Sequence, residues 1–312
     1  MTRADILWDP SINETARAAF DPVVFVFELL THLGDGAFLL VMGVLIYWFG
    51  SRDTRRSRVF VIAVGITALS LSAGLKGIIQ LPRPELVFSP QGYPGYSFPS
   101  AHAMGSAAFY GALAVTMEWG TRRRRYLLAG SVITVVAFSR VVMGLHYLGD
   151  VVVGVFLGLL IVAIGVWTQN EGLFEPGSMF LLATGIACVA VLLGSRVFVT
   201  LTIGASIGGV IGWHYMKDRP TTDSDVAVLF LGGVSLLALG LLRVLSLWIE
   251  LSAPDGLYPA IFLGEVIGYA ALTTVVLLLP WTAIRIEDHP IVGRLESWIP
   301  SLGRQNAGSH AE

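Results

Sequence analysis

Long apolar stretches constrain this chain more than any other feature of its sequence. A helix needs roughly 20 mostly apolar residues to cross the hydrocarbon core of a bilayer, and about nine stretches approach that length. They lie near 35–50, 58–80, 101–119, 125–143, 148–168, 178–195, 197–216, 227–249 and 258–283. Charged residues make up only 13% of the chain, against about a quarter in soluble domains. The sequence therefore predicts an all-α, polytopic transmembrane bundle of about nine spans.

The remaining composition excludes several kinds of function. The net charge of -2 offers no attraction to nucleic acid. The single cysteine, Cys188, lies in an apolar run and excludes an internal disulfide, so thiol chemistry is set aside. The N-terminal residues lack the charged start, apolar middle and small-residue cleavage site of a signal peptide. We therefore expect the apolar segments themselves to direct insertion into the membrane.

Arginine-rich loops predict the orientation of the chain. "SRDTRRSR" (51–58) joins the first two spans and "TRRRR" (121–125) joins the third and fourth, and short cytoplasmic loops carry the excess of Lys and Arg. Both loops are therefore predicted to face the cytoplasm. The loops at 82–100 and 144–147, together with the N-terminus, then face outward. The same count places the C-terminal tail in the cytoplasm.

Ionisable residues gather at the predicted outward ends of spans two to five. Such residues at membrane depth are costly, and by default they mark functional sites. They come from the segments "KGIIQLPRP" (76–84), "FPSAH" (98–102) and "SRVVMGLHYLGD" (139–150), and they comprise Lys76, Arg83, Ser100, His102, Arg140, His146 and Asp150. The orientation rests on loop arginines alone, so the common side of these seven residues is an independent result.

The chemistry of this set suits a phosphate group. Three cations and a hydroxyl fit a tetrahedral oxyanion, because Arg offers paired donors and Lys adds a point charge. The two histidines offer a nucleophile and a proton donor, and Asp150 can accept from one ring nitrogen of His146 while exposing the other. Phosphoryl transfer depends mostly on positioning and charge stabilisation. We therefore expect no metal and no cofactor.

Each group of residues also has a purely structural interpretation. Lys76 and Arg83 could be membrane-edge side chains that extend toward water. His102 could cap a helix, and Arg140 could pair with Asp150 within the protein. These interpretations do not explain why all of the groups face one side, so we favour a shared site.

The three segments resemble the signature motifs of the type 2 phosphatidic acid phosphatase (PAP2) superfamily: Lys-x6-Arg-Pro, Pro-Ser-Gly-His and Ser-Arg-x5-His-x3-Asp. The resemblance implies a PAP2/haloperoxidase-like helical core. It implies that His146 attacks phosphorus, that Asp150 orients His146, and that His102 protonates the leaving alkoxide. The residues that it implies as phosphate ligands are Lys76, Arg83, Ser100, Arg140 and the main-chain amide near Ala101.

The sequence departs from the family motif at one position and resembles one branch of the superfamily in its layout. Ala101 stands where the family usually has glycine, and alanine can still present its N–H unless the backbone requires a positive φ. The nine-span layout, the outward N-terminus and "PSAHAMGSAAFY" are similar to the glucose-6-phosphatase branch of the superfamily. That similarity concerns architecture rather than substrate.

Four regions follow from these patterns. Residues 1–34 are predicted to be an outward or interfacial segment, residues 35–168 the catalytic transmembrane core, residues 169–285 additional transmembrane helices of unknown role, and residues 286–312 a cytoplasmic tail. The segment 20–32 could instead be a tenth, half-buried element.

The predicted protein is a multi-pass membrane phosphatase, in the cell membrane, whose site opens toward the extracytoplasmic face. The expected substrate is a lipid phosphate or diphosphate, such as a polyprenyl diphosphate or a phosphatidate-like lipid. Alternatives within the same chemistry are hydrolysis of a soluble ester such as a sugar phosphate, or transfer of the phosphoryl group to an alcohol. A different class, an anion transporter, would need polar residues that continue to the cytoplasmic side.

Overall fold

Helices form all the regular structure in the part of the chain that the computed structural model describes, residues 6–50, 52–89, 93, 95–172, 175–222, 224–252 and 258–298. The α-helices of these ranges are α1 (Ser11–Phe20), α2 (Val24–Leu30), α3 (Gly36–Trp48), α4 (Arg52–Ile79), α5 (Ala101–Thr116), α6 (Arg122–Val142), α7 (Leu148–Asn170), α8 (Pro176–Leu192), α9 (Val199–Met216), α10 (Asp225–Ser252), α11 (Tyr258–Thr282) and α12 (Pro290–Trp298). The predicted all-α fold class is confirmed.

The predicted spans coincide with helices α3 to α11, but a count of nine membrane crossings is not confirmed. Within the described residues, four helices are each long and apolar enough to cross a bilayer, and they are α4, α6, α7 and α11. A fifth crossing is possible if residues 11–48, which bend by 51° near Asp35, form one broken span. The 16-residue helix α5 is about 24 Å long, which is shorter than a hydrocarbon core of about 30 Å.

The N-terminal region packs against the bundle as helices. Helices α1 and α2 both contact α6, and a 3-10 turn at Thr31–Gly34 leads to the bend. Asp35 is extended at ψ 133° and its carboxylate accepts hydrogen bonds from Ala37 N (2.8 Å) and Phe38 N, which begins α3. Of the predicted outward segment 1–34, residues 1–5 lie outside the described ranges.

Close packing of α5 on α7 brings two of the motifs together. A Cβ on Gly154 would lie 2.9 Å from Ser100 O, and one on Gly158 would collide with Met104 O. Such small residues let two helix backbones approach closely in a membrane. As a result Ser100 N donates to Asp150 O at 3.1 Å, and the start of α5 lies beside the start of α7.

The later helices are joined to this core along α4. Helix α8 packs on α4, and α9 packs against both α8 and α11. Tyr47 Oη donates to Leu277 O at 2.5 Å, and Arg55 Nη1 donates to Thr221 Oγ1 at 2.8 Å. The side chains of Tyr47 and Arg55 are both buried. Helices α3 and α4 therefore share an interior with α11 and with the segment between α9 and α10. The predicted tail contains α12, and its residues 299–312 lie outside the described ranges.

Candidate active site

The eight residues predicted to form the site lie at one end of the bundle, where α4 and α6 end and α5 and α7 begin. Lys76 is in the last turn of α4, and Arg140 is in the last turn of α6. Ser100 caps α5, and Asp150 is in the first turn of α7. Four chain segments therefore contribute to one neighbourhood, as the sequence predicted.

A tight turn between α6 and α7 positions His146. Helix α6 ends at Val142, Gly144 adopts a φ of +67°, and the N–H groups of Leu145 and His146 both donate to Arg140 O. Glycine adopts this left-handed conformation without steric cost. The turn places the imidazole of His146 in the interior, with 2% of the residue exposed.

The contacts of His146 identify its unprotonated nitrogen. Arg83 Nη1 lies 3.2 Å from His146 Nε2. A guanidinium can only donate, so Nε2 accepts and the proton of the neutral ring is on Nδ1. Ser97 Oγ lies 3.4 Å from that Nδ1 and donates to Asp150 Oδ2. Nε2 therefore carries the lone pair available for attack.

Asp150 is tied to both the ring and the turn. Its Oδ2 accepts from Tyr147 N at 2.9 Å, which caps the start of α7. The distance from Asp150 Oδ2 to His146 Nδ1 is 3.6 Å, longer than a hydrogen bond. The direct contact expected from the sequence is thus bridged by the hydroxyl of Ser97.

Three cations surround the imidazole: Lys76 and Arg140 are buried, and Arg83 is half-buried. Lys76 is 7% exposed and donates to Tyr96 O (2.6 Å) and Ser97 O (3.1 Å). Arg140 is 2% exposed and donates from Nη1 to Thr31 Oγ1 at 3.0 Å. Its Nε has no hydrogen-bond partner among the described residues.

The charges of this neighbourhood do not balance. Lys76, Arg83 and Arg140 interact electrostatically with one another. Asp150 acts on Lys76 and Arg83, and Asp35 acts on Arg140. Buried charges are stable only when they are paired. Three cations and two carboxylates leave net positive charge, which favours an anion such as a phosphoryl group.

The start of α5 adds main-chain donors to the site. Ser100 Oγ accepts from Ala103 N, and the first turn-to-turn bond of the helix runs from Met104 N to Ser100 O. The N–H groups of Ala101 and His102 precede that bond and must find acceptors outside the helix. A helix N-terminus of this kind favours an anion.

Alanine at position 101 does not require strained backbone. Among the described residues other than glycine, positive φ values occur only at Gln80 and Phe198. Ala101 can therefore present its N–H as glycine would. A positive φ, which would have made alanine unfavourable at this position of the family motif, is not required.

Substituting Ala101→Pro tests this amide. Proline fits the first position of a helix, and Ser100 already has the extended backbone (φ -68°, ψ 112°) that a following proline requires. The variant should fold but lose one donor, and we expect kcat to fall about 100-fold. Ala101→Gly, which keeps the N–H, should lose far less. Equal losses in the two variants would contradict a role for the amide.

The environment of His146 keeps its ring neutral. Burial, reinforced by the positive charges of Arg83, Arg140 and Lys76, holds the pKa of His146 well below the usual histidine value of 6.5. His146 lies in the turn outside both neighbouring helices. A neutral imidazole at neutral pH is the form that can act as a nucleophile.

This lowered pKa predicts the acidic side of the pH profile. The nucleophile loses activity only when it is protonated, so kcat/KM should stay level as the pH falls through 6.5 and should decline only at lower pH. The unfolded chain binds that proton more readily, so folding stability also declines below pH 6.5. A circular-dichroism signal that stays unchanged through the decline separates protonation of the nucleophile from unfolding. A decline centred at or above pH 6.5 would contradict the prediction.

The sequence did not reveal four residues that contact this set. Ser97 and Thr31 bond to Asp150 and Arg140, and Trp8 and Asn13 bond to Asp150 and the main chain of His146. Serine, threonine and asparagine are common in loops, so no pattern distinguishes these positions. A buried asparagine in the first helix, 0% exposed, becomes recognisable only with the fold.

The fold and this site together define a class of protein, a helical membrane phosphatase. A family model described as the PAP2 superfamily matches residues 57–173, which contain all eight predicted site residues. Phosphatidylglycerophosphatase B of Bacillus subtilis is 33% identical over 141 residues, covering 42% of this chain and 68% of the relative. The chain belongs to the PAP2 superfamily.

Other similar proteins also act on phosphorylated lipids by name. Lipid A 1-phosphatase of Rhizobium johnstonii is 29% identical over 49% of this chain and 70% of its own length. Sphingosine-1-phosphate phosphatase 1 of Rattus norvegicus is 28% identical over 49% of this chain but only 36% of its own. The crystal structure of a transmembrane PAP2-type phosphatidylglycerolphosphate phosphatase from Bacillus subtilis matches with a TM-score of 0.50 and 29% identity, covering 55% of this chain and 88% of that one.

Proposed function

We propose that this protein hydrolyses a phosphomonoester or diphosphate of a lipid through a phosphohistidine on His146, without a metal ion. The observation that carries the proposal is the arrangement of His146. Its unprotonated Nε2 lies 3.2 Å from Arg83 Nη1, and Lys76 and Arg140 contribute positive charge to the same neighbourhood. A neutral nucleophile held among cations suits attack on a phosphoryl group.

In the first step a phosphoryl group is transferred to the protein. His146 Nε2 forms a bond to phosphorus as the bond from phosphorus to the alkoxide oxygen breaks. The negative charge of the bound phosphoryl group favours the protonated form of His102, which gives its proton to that oxygen. The Nδ1–H of His146 remains bonded through Ser97 to Asp150. The carboxylate thereby stabilises the positive charge that develops on the ring.

In the second step water releases the phosphate. His102, now neutral, takes a proton from the water as its oxygen bonds to phosphorus and the bond to Nε2 breaks. Lys76, Arg83, Arg140, Ser100 and the amide of Ala101 hold the phosphoryl oxygens in both steps. Cations that act in this way stabilise the charge of the transition state.

A lipid is the substrate class that best suits a membrane-embedded site. The headgroup can enter at the end of the bundle while acyl or prenyl chains stay in the bilayer, and the named relatives include phosphatases of phosphatidylglycerophosphate and lipid A. The arginine-rich loops support a site that faces the extracytoplasmic side of the cell membrane and a cytoplasmic C-terminus. In this proposal residues 35–168 form the catalytic core, together with part of the N-terminal segment, and residues 169–285 are additional membrane helices.

Paired substrates test the proposal directly. Purified protein in detergent with a chelator is assayed on phosphatidate and glycerol 3-phosphate, which share a phosphomonoester and differ in their acyl chains. A polyprenyl diphosphate and a sugar phosphate extend the set. We expect kcat/KM to be highest on the lipids. Preference for the soluble esters would overturn the lipid assignment, and loss of activity with the chelator would overturn the metal-free mechanism.

Two further measurements separate the alternatives. If the phosphohistidine is resolved by an alcohol, added acceptor alcohols will yield a new phosphate ester instead of inorganic phosphate. If the protein is an anion transporter, vesicles will show phosphate flux, and His146→Ala protein will keep it while no ester is hydrolysed.

A further inference from the structure

The first described residues of the chain contact the turn that carries the proposed nucleophile. Residues Leu7–Asn13, here called the N-terminal clamp, reach residues 141–150 at the junction of α6 and α7. The clamp lies outside the residues 57–173 that match the PAP2 family model. Its contacts are therefore a property of this chain that the family motifs do not describe.

Asn13 links the end of α6 to the nucleophile's own backbone. Its Nδ2 donates to Val141 O at 2.8 Å and to His146 O at 2.9 Å. The residue is 0% exposed, so these bonds form where water does not compete. An amide has two N–H donors, and here both are used on the two ends of the turn 141–146.

Trp8 makes the corresponding contact with the acidic partner. Its indole Nε1 donates to Asp150 Oδ1 at 3.3 Å, the oxygen that is not used by Ser97 or by Tyr147 N. The indole ring lies directly against Gly149, where an added Cβ would come within 2.6 Å of Cε2. Gly149 N also donates to Leu7 O at 2.7 Å. The clamp thus fixes the carboxylate and the start of α7 together.

These contacts act on His146 and Asp150, the two groups whose relative position controls the orientation of the proposed nucleophile. Nδ1 of His146 and Oδ2 of Asp150 are 3.6 Å apart and are joined through Ser97. Asn13 holds the backbone of one member and Trp8 holds the carboxylate of the other. A displacement of about 1 Å in a catalytic group can cost on the order of 100-fold in rate.

We propose that the N-terminal clamp is a positioning element for phosphoryl transfer, with Trp8 acting through Asp150 and Asn13 acting through His146. Neither residue touches the substrate. The inference rests on the proposed function, because it assigns these residues to the same nucleophile. It changes the role of the N-terminal segment from an outward or interfacial extension to a part of the catalytic structure.

Two conservative substitutions isolate the hydrogen bonds from packing. Trp8→Phe keeps an aromatic ring against Gly149 and removes the N–H donor. Asn13→Asp keeps the size of the side chain and removes both N–H donors. The matched controls are Trp119→Phe, at an exposed tryptophan between α5 and α6, and Asn170→Asp, at the exposed end of α7.

The expected result is a loss of kcat without a matching rise in KM. For Trp8→Phe we expect kcat to fall about tenfold, since a hydrogen bond to a charged group contributes roughly that much. Asn13→Asp should lose more, because the new carboxylate faces two carbonyl oxygens. Trp8→Ala should be no more active than Trp8→Phe, and both controls should match the wild type.

Inhibition by orthovanadate separates positioning from a loss of folded protein. Vanadate mimics the five-coordinate phosphorus of the transition state, and such analogues bind in proportion to transition-state stabilisation. A smaller folded fraction lowers the total rate but leaves the inhibition constant of the active molecules unchanged. We expect the inhibition constant of Trp8→Phe to rise about tenfold, in parallel with the loss of kcat.

The outcomes distinguish this inference from the proposed function. An unchanged vanadate inhibition constant and unchanged kcat in Trp8→Phe and Asn13→Asp would overturn the inference, while the wild type would still hydrolyse phosphate esters. A wild-type protein that hydrolyses no phosphate ester would overturn the proposed function itself. Equal losses in Trp8→Phe and Trp119→Phe would also contradict the clamp.

Discussion

Alanine in place of His146 is expected to lower kcat/KM on every phosphate ester by at least about ten-thousand-fold. The substitution removes the only atom that the proposed mechanism uses to attack phosphorus. It also leaves Arg83 without the Nε2 that it contacts at 3.2 Å. The three cations remain, so substrate binding should persist, and KM should change much less than kcat.

The covalent intermediate provides the decisive measurement for this variant. Wild-type protein mixed with ³²P-labelled substrate and quenched in alkali should carry label that is then released by acid, as expected of a phosphohistidine. His146→Ala should carry none. The control is His214→Ala at an exposed histidine in α9, which should be labelled normally. Label that persists in the His146 variant would place the nucleophile elsewhere.

The second large effect is expected at His102, and it should depend on the leaving group. His102 is the second residue of α5, and its ring interacts electrostatically with Arg140 and Arg83. As the proposed general acid it protonates an alkoxide, a step that contributes about 10²- to 10⁴-fold. His102→Ala should therefore lower kcat on an alkyl phosphate about 1,000-fold.

A substrate that needs no protonation tests this role. The p-nitrophenolate ion leaves readily without a proton, so His102→Ala should keep most of its phosphorylation rate on p-nitrophenyl phosphate. Rapid-quench measurement of the first turnover isolates that step from hydrolysis of the intermediate. Equal losses on the alkyl and the aryl ester would contradict a general-acid role and would indicate a contribution to binding.

Many of the helices could be predicted because the length of a continuous apolar run can be read directly from neighbouring residues in the sequence. The 28-residue helix α4 and the 23-residue helix α7 follow from long apolar runs. The number of membrane crossings could not be predicted in the same way. Helix α3 is only 13 residues long. Whether it forms one broken membrane span with the preceding helices depends on a 51° bend, and an average of hydropathy along the sequence does not reveal a bend.

The candidate site divides along a similar line. Arg83, His146 and Asp150 could be found because they belong to motifs with characteristic spacing. The bridge through Ser97 could not, since its partner Asp150 is 53 residues away in the chain and the contact depends on how the loop after α4 folds back. The same holds for Asn13, whose acceptors are more than 100 residues away.

The contact between Trp8 and Asp150 also has a consequence for how the protein is made. The two residues are separated by 142 positions, and a chain is synthesised and inserted from its N-terminus. Trp8 therefore reaches the membrane long before its partner and must remain unpaired until α7 has been inserted. The site can be assembled only after α7 is in place, so a nascent chain that ends before α7 lacks the complete arrangement of Trp8, His146 and Asp150.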